Sequence, residues 1–234
     1  AEWADLATAV QRIRRLLDLD ADPQAVDAAL AADPRFAPLV ARVPGRRASA
    51  SADPVQTALR AVVGQQVSLA GARTVTGRLA VALGDPLDPA LGVGYGLTHA
   101  FPTVERLAEA PDELFAMPAA RRDTVRRLAA AVAGGSVVLD AGSDPHTARD
   151  QLLALKGIGP WTADYVMMRG LGHPDVFLCT DLVAVNALTA LGLTIDDTSE
   201  WAPWRSYALH HLWASLGTLD AAAAAATRPR KDNV

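Results

Sequence analysis

Leu155-Lys156-Gly157-Ile158-Gly159-Pro160-Trp161-Thr162-Ala163 lies between two apolar helical runs, and Asp181 follows twenty residues after its tryptophan. Two glycines around an isoleucine predict a tight hairpin with outward-pointing backbone N–H groups. The hairpin opens a helix whose dipole favours anions. Such a surface suits a backbone phosphate of a nucleic acid. Val176-Phe177-Leu178-Cys179-Thr180-Asp181 then sets one carboxylate at the head of a further helix. A Gly-x-Gly alone is weak, because ordinary helix–helix turns also use glycine. The longer string, with Leu155 ahead and Thr162-Ala163 behind, is far more specific.

At 234 residues the chain has room for one large domain or two small lobes. Half of the residues are hydrophobic, many of them alanine, and no apolar run is long enough to span a bilayer. Glu2 and Asp5 interrupt the amino end, which does not resemble a signal peptide. Cys179 is the only cysteine, which excludes a disulfide framework and a cysteine metal cluster. A soluble, cytoplasmic protein with no membrane partner is expected. The formal charge of −4 argues against indiscriminate coating of nucleic acid. Arg46-Arg47, Arg121-Arg122 and Arg126-Arg127 are the candidates for a local basic face.

Periodicity predicts an all-α fold. Trp3, Leu6, Val10, Ile13 and Leu17 recur at helical spacing. Asp22-Pro23, Asp53-Pro54 and Asp144-Pro145 each have the N-cap-then-proline form of a helix start. Residues 43–51 read as a loop, and 84–102, rich in glycine and proline, as the longest irregular stretch. Val55, Leu59, Val62 and Val63 line the face of one helix, and further helices are expected near 68–83, 103–109, 112–116, 119–133, 145–155, 161–170, 181–191 and 199–216. No strand pattern stands out, and the tail from Ala221, with Arg228-Pro229-Arg230-Lys231-Asp232, is expected to fray.

Aspartate before an apolar helix is usually only an N-cap. Here the two roles are compatible, because a cap fixes the carboxylate and the helix N-terminus keeps it ionised. A fixed anion stabilises the positive charge that develops on a sugar as its glycosidic bond breaks, and it can orient or deprotonate the attacking water. Beside the hairpin, Asp181 becomes the candidate catalytic residue. Aromatic residues make up only 5% of the chain. Trp161 and Tyr165 lie one helical turn apart on one face, and Trp213 comes from the last helix. An electron-rich pocket attracts a flipped purine, and a cationic one still more through cation–π attraction. Trp201 and Trp204 read as core.

From about Val10 to Leu219 the chain resembles the AlkA-type 3-methyladenine DNA glycosylases of the helix-hairpin-helix superfamily. The resemblance rests on Val63-Gly64-Gln65-Gln66-Val67-Ser68, on Phe101-Pro102-Thr103 through Arg106-Leu107-Ala108, on Leu155 through Gly170, and on Pro203-Trp204-Arg205-Ser206-Tyr207-Ala208-Leu209 through His211 and Trp213. It implies a monofunctional glycosylase of base excision repair that releases alkylated purines from double-stranded DNA, acting as a nucleoid-associated monomer. Asp181 falls on the catalytic position, and Trp161, Tyr165 and Trp213 fall on the base pocket. Gln66 falls on the residue wedged into the gap left by the flipped nucleotide. Gly157, Gly159 and Thr162 fall on the DNA-contacting hairpin. No cofactor is required, but the carbonyls of Leu153, Leu155 and Ile158 are expected to hold a structural Na+ or K+. The implied fold is two helical lobes with an active-site cleft between them. One lobe is formed by 1–53 plus 173–234, and the other by 54–172, which contains the helix-hairpin-helix at about 149–170.

Some positions depart from the pattern. Thr180 stands where some relatives have a second acid, Leu182 where some have a tyrosine, and Gln66 where some have a leucine. Members often carry an amino-terminal α/β domain, and this chain is expected to begin beyond it, as a compact form or a fragment. Two other functions are compatible with a helix-hairpin-helix. One is a non-catalytic helix-hairpin-helix DNA-binding module. The other is a glycosylase/lyase with an iron–sulfur cluster. One cysteine cannot supply the roughly four that a cluster needs, and Trp161 occupies the position where lyase chemistry needs lysine.

Overall fold

The three Asp-Pro pairs start helices as their local chemistry dictates. Asp22 accepts from the N–H groups of Gln24 and Ala25, Asp53 from Gln56 at 2.9 Å, and Asp144 from Thr147 at 2.8 Å. Each proline takes the first helical position, where a missing N–H costs nothing. The structure is a computed structural model that describes residues 3–92, 94–140 and 142–226. Among these residues there is no sheet, only an isolated antiparallel bridge between Pro86 and His99. No helix among them is long and apolar enough to cross a membrane.

The helices are α1 (Trp3–Leu16), α2 (Pro23–Leu30), α3 (Ala37–Arg42), α4 (Pro54–Val63), α5 (Leu69–Leu83), α6 (Pro89–Gly92), α7 (Val104–Glu109), α8 (Ala119–Ala133), α9 (Pro145–Leu153), α10 (Pro160–Tyr165), α11 (Leu182–Ala190) and α12 (Arg205–Ala226). They divide into two units, 1–50 with 172–234, and 51–171.

In the unit 51–171, α4 lies at the centre. Ala58, Leu59, Val62 and Val63 are buried along it, and it packs on α8 through Val125, Leu128 and Ala129. Leu79, Leu107, Leu152 and Met168 complete the core. Each fully buried leucine contributes about 1.5–3 kcal/mol. The chain leaves α10 in a wider π turn over Val166–Gly170, closed by Leu171 N donating to Val166 O at 3.0 Å. This turn packs on α4.

In the other unit, Phe36 is fully buried with its ring 4.5 Å from that of Trp201 and 5.9 Å, edge-on, from that of His211. Asp18 ends α1 at a positive φ of 54°, a position that usually favours glycine. Its carboxylate accepts from Tyr207 Oη at 3.1 Å and from Ala48 N at 3.0 Å, which offsets the strain. The amphipathic α1 forms as expected, but Leu6 and Ile13 along its apolar stripe are each 51% exposed.

Several elements differ from the sequence expectations. Helix α3 was not expected. Pro89–Gly92 forms a single turn inside the stretch read as irregular. The last helix begins at Arg205 rather than 199, because Pro203 confines Ala202 to extended backbone; a 3-10 turn, Asp196–Trp201, precedes it. At the other end α12 continues through Ala221 to Ala226, whereas fraying was expected from Ala221. The rest of that expected tail, 227–234, lies outside the described residues.

Candidate functional site

Between α9 and α10 the chain turns within six residues. Ile158 N donates to Leu155 O at 3.0 Å, and among the described residues no backbone carbonyl takes the N–H of Gly157 or Gly159. The two glycines differ in kind. Gly157 has φ +99°, and a Cβ there would lie 2.0 Å from Thr124 Oγ1 on α8, so a side chain is excluded twice over. Gly159 has φ −99°, and a Cβ there would meet nothing within 4 Å. The fold requires only Gly157; the space beside Gly159 is open to a ligand's close approach.

The hairpin is braced on three sides. Arg149 of α9 donates through Nε to Asp164 of α10 at 2.5 Å, tying its two helices together. Arg127 Nη1 donates to Lys156 O at 3.1 Å. Gln65 Nε2 donates both to Gly157 O and to Thr162 Oγ1, each at 3.1 Å. Thr162, expected at the DNA-contacting edge, is buried, with its hydroxyl turned toward Gln65. Of its polar groups, the backbone N–H is the one left to serve that expectation. The sequence reading missed Gln65, Arg127 and Arg149, although Gln65 and Gln66 are adjacent in the Gly64-Gln65-Gln66 string.

The arginine pairs do not form the basic face considered from sequence. Arg122 and Arg126 both bond Asp112, at 2.7 and 2.5 Å, and Arg126 also lies over the Phe115 ring at 5.1 Å. Arg127 holds the hairpin, and Arg47 donates to the carbonyls of Asp18 and Ala21. Four of the six arginines therefore hold the protein's own fold.

Trp161 and Tyr165 stack on each other, with centroids 5.1 Å apart and planes 14° from parallel. Rings this close leave no slot for a base between them, so an incoming base would add to an outer face. Gln66 is exposed at the tip of the α4–α5 turn, with φ +54°. Strained backbone of this kind clusters at functional positions.

In the unit of both chain ends, Asp181 caps α11. Its Oδ1 accepts from Ala184 N at 2.9 Å and from the indole Nε1 of Trp213 at 3.3 Å. Trp213, expected as a pocket wall, is thus also a donor to the candidate catalytic carboxylate. The segment leading to Asp181 is fastened to the start of α12. Arg205 pairs with Asp175 through Nε at 2.7 Å and Nη2 at 2.8 Å, which holds the Asp175 carboxyl below its ordinary pKa. Ser206 Oγ donates to His173 O at 2.7 Å and accepts from Val176 N at 3.0 Å. These braces were not read from the sequence, although Arg205 and Ser206 lie in one of the strings that carried the resemblance.

The carbonyls of Leu153, Leu155 and Ile158, expected to hold a cation, belong to the end of α9 and the turn that follows it. Among the described residues, Leu155 O accepts only Ile158 N from backbone donors outside the helices, and no turn N–H donates to Leu153 O or Ile158 O. Backbone carbonyl oxygens with lone pairs to give are ligands of the kind that hard cations take.

A two-unit helical body with a glycine-bent hairpin is a known arrangement. The 3-methyladenine DNA glycosylase from Archaeoglobus fulgidus matches with a TM-score of 0.75 at 20% identity, over 93% of this chain and 77% of that one. The 8-oxoguanine glycosylase/lyase from Clostridium acetobutylicum matches with a TM-score of 0.74 at 16% identity, over the same shares of the two chains. The fold is that of the helix-hairpin-helix glycosylases. In sequence, the chain is 35% identical over 218 residues to DNA-3-methyladenine glycosylase 2 of Escherichia coli, covering 90% of this chain and 73% of that protein. It is 48% identical over 221 residues to a probable bifunctional transcriptional activator/DNA repair enzyme AlkA of Mycobacterium tuberculosis, covering 92% of this chain but spanning only 44% of that relative's length. The chain belongs to the AlkA-type DNA-3-methyladenine glycosylase family. Residues 1–53 match the family model described as the AlkA N-terminal domain. The described part of those residues is helical.

Proposed function

We propose that the chain hydrolyses the N-glycosidic bond of alkylated purines, of the 3-methyladenine and 7-methylguanine type, in double-stranded DNA. The observation that carries this is Asp181, whose Oδ1 is fixed by the N–H of Ala184 and the indole N–H of Trp213. Alkylation at a ring nitrogen makes the base a cation, so it leaves as a neutral molecule without prior protonation. Positive charge then builds on the sugar, and a carboxylate held in one orientation opposes it at no cost in reorganisation. Water adds to the sugar carbon, and its proton passes to Asp181 or to solvent. Asp181 accounts for both roles with a single acid.

Binding is assigned to the backbone. The N–H groups of Gly157 and Gly159 face a phosphate, and the open space beside Gly159 supports that close approach. Carbonyls of Leu153, Leu155 and Ile158 would hold Na+ or K+, adding a positive charge at the same turn. The outer face of the Trp161–Tyr165 stack receives the cationic base, and Gln66 fills the gap it leaves. The protein acts as a monomer on nucleoid DNA.

No lyase step is included. A glycosylase/lyase shares this fold, so the fold does not decide the chemistry. What supports hydrolysis alone is the residue: Trp161 stands where the amine would be needed, and Lys156 lies before the first glycine, with its carbonyl held by Arg127.

The test is incubation of methylated duplex DNA with the protein, with released bases identified by chromatography and strands examined for nicks. Release of alkylated purines from unbroken strands is expected. A nick through a borohydride-trappable imine, or binding with no base released, contradicts the proposal. The latter result identifies a plain DNA-binding module.

A further inference from the structure

Gly64 to Val67 form one turn, in which Val67 N donates to Gly64 O at 3.4 Å. Its two central residues are both glutamines with opposite fates. Gln66, at φ +54°, is exposed at the tip. Gln65 reaches 92 residues along the chain to the hairpin and bonds both sides of it, Gly157 O before the isoleucine and Thr162 Oγ1 after it. A carbonyl oxygen only accepts, so the Gln65 amide nitrogen must face it, and the orientation of the amide is fixed by chemistry. Thr162 is 4% exposed, so its end of the contact is sheltered from competing water.

We propose that Gln65 is a positioning residue that locks the turn bearing Gln66 to the phosphate-gripping hairpin, so that seating the hairpin on DNA sets the wedge at a fixed register. This rests on the glycosylase function proposed above. Two neighbouring side chains then divide one task. Gln65 fixes the distance between grip and wedge, and Gln66 acts on the duplex. Neither the grip nor the chemistry at Asp181 uses Gln65 directly. Its loss should therefore leave simple DNA binding intact and impair base extrusion.

The experiment uses Gln65→Leu, which keeps the shape without donors, and Gln65→Glu, which sets a carboxylate against Gly157 O. Three measurements are made on each. Hydrogen exchange at the hairpin amides, without DNA, should accelerate by at least about fivefold, because both hydrogen bonds of the Gln65 amide nitrogen are lost. Affinity for an undamaged duplex should stay within about twofold, because it reports the backbone grip. Fluorescence of 2-aminopurine placed at the extruded position should fall by about fivefold or more. In a Gln65→Leu background, adding Gln66→Ala should cost nothing further, since an unregistered wedge no longer acts.

Exchange rates equal to wild type in both variants overturn the lock itself. Effects of Gln65→Leu and Gln66→Ala that multiply overturn the coupling. An equal loss of undamaged-duplex affinity and extrusion would make Gln65 part of the grip instead. Failure of the wild-type protein to extrude any base would count against the glycosylase function, and the exchange measurement would still decide the lock.

Discussion

The indole N–H of Trp213 on α12 donates to Oδ1 of Asp181 at the head of α11, across 3.3 Å and 32 residues of sequence. The same oxygen caps Ala184 N. A cap alone leaves a carboxylate free to rotate about its last bond; a second donor on the same oxygen fixes its plane. Trp213→Phe keeps an aromatic ring and removes the donor. Base release should fall about tenfold, the value of one hydrogen bond to a charged group, while the thermal midpoint changes little. Unchanged single-turnover excision would reduce Trp213 to a pocket wall.

The two hairpin glycines should separate structure from binding. Gly157→Val drives a Cβ into Thr124 at a backbone conformation that L residues rarely adopt, so it should destabilise the unit 51–171. Gly159→Val meets no steric obstacle in the protein. It should keep the melting temperature and weaken binding to any duplex, whatever its sequence, with a shallow salt dependence because few phosphates are neutralised. Equal affinities of wild type and a folded Gly159→Val would remove the hairpin as the anchor.

Trp161→Ala removes the outer face on which a cationic base is proposed to rest. Preference for a cationic lesion over a neutral one should fall about fivefold, the equivalent of a single cation–π contact. Competition between 7-methylguanine and a neutral damaged base in one duplex measures it. An unchanged ratio would assign the selectivity entirely to the lability of the alkylated base.

Acid should act on the unit of both chain ends through His211. Burial, with Arg46 nearby, lowers its pKa to about 4 from an ordinary 6.5. The unfolded chain therefore binds this proton more readily than the folded one between those values. Stability is complete above about pH 6.5 and declines as pH falls toward 4, by roughly 3 kcal/mol in total. Asp175, whose carboxyl is lowered by Arg205, adds a further loss only below the ordinary carboxylate range. Denaturant melts of wild type and His211→Gln across pH 7 to 4 check this; the decline should flatten in the variant.

What the sequence made legible was local. Asp22, Asp53 and Asp144 cap helices through residues two or three positions ahead, so the signal and its effect share one short string. The Gly157–Gly159 turn and the Trp161–Tyr165 stack are of the same kind. Partners distant in sequence were not legible. Arg122 and Arg126 look like a basic face until folding brings Asp112 to them. Thr162 looks like an edge residue until Gln65, 97 residues earlier, takes its hydroxyl. The start of α12 was misplaced because helical periodicity continues through 199–204, whereas Pro203 forbids the helix there.

Asp181→Asn tests the central claim most directly. Asparagine is an equally good cap, so α11, the melting temperature and affinity for undamaged DNA should be retained. Only the negative charge proposed to oppose that of the sugar is lost. Single-turnover release of 3-methyladenine from methylated duplex should drop by at least about 100-fold. Release within a few-fold of wild type by the folded variant would contradict the account and move the chemistry away from Asp181.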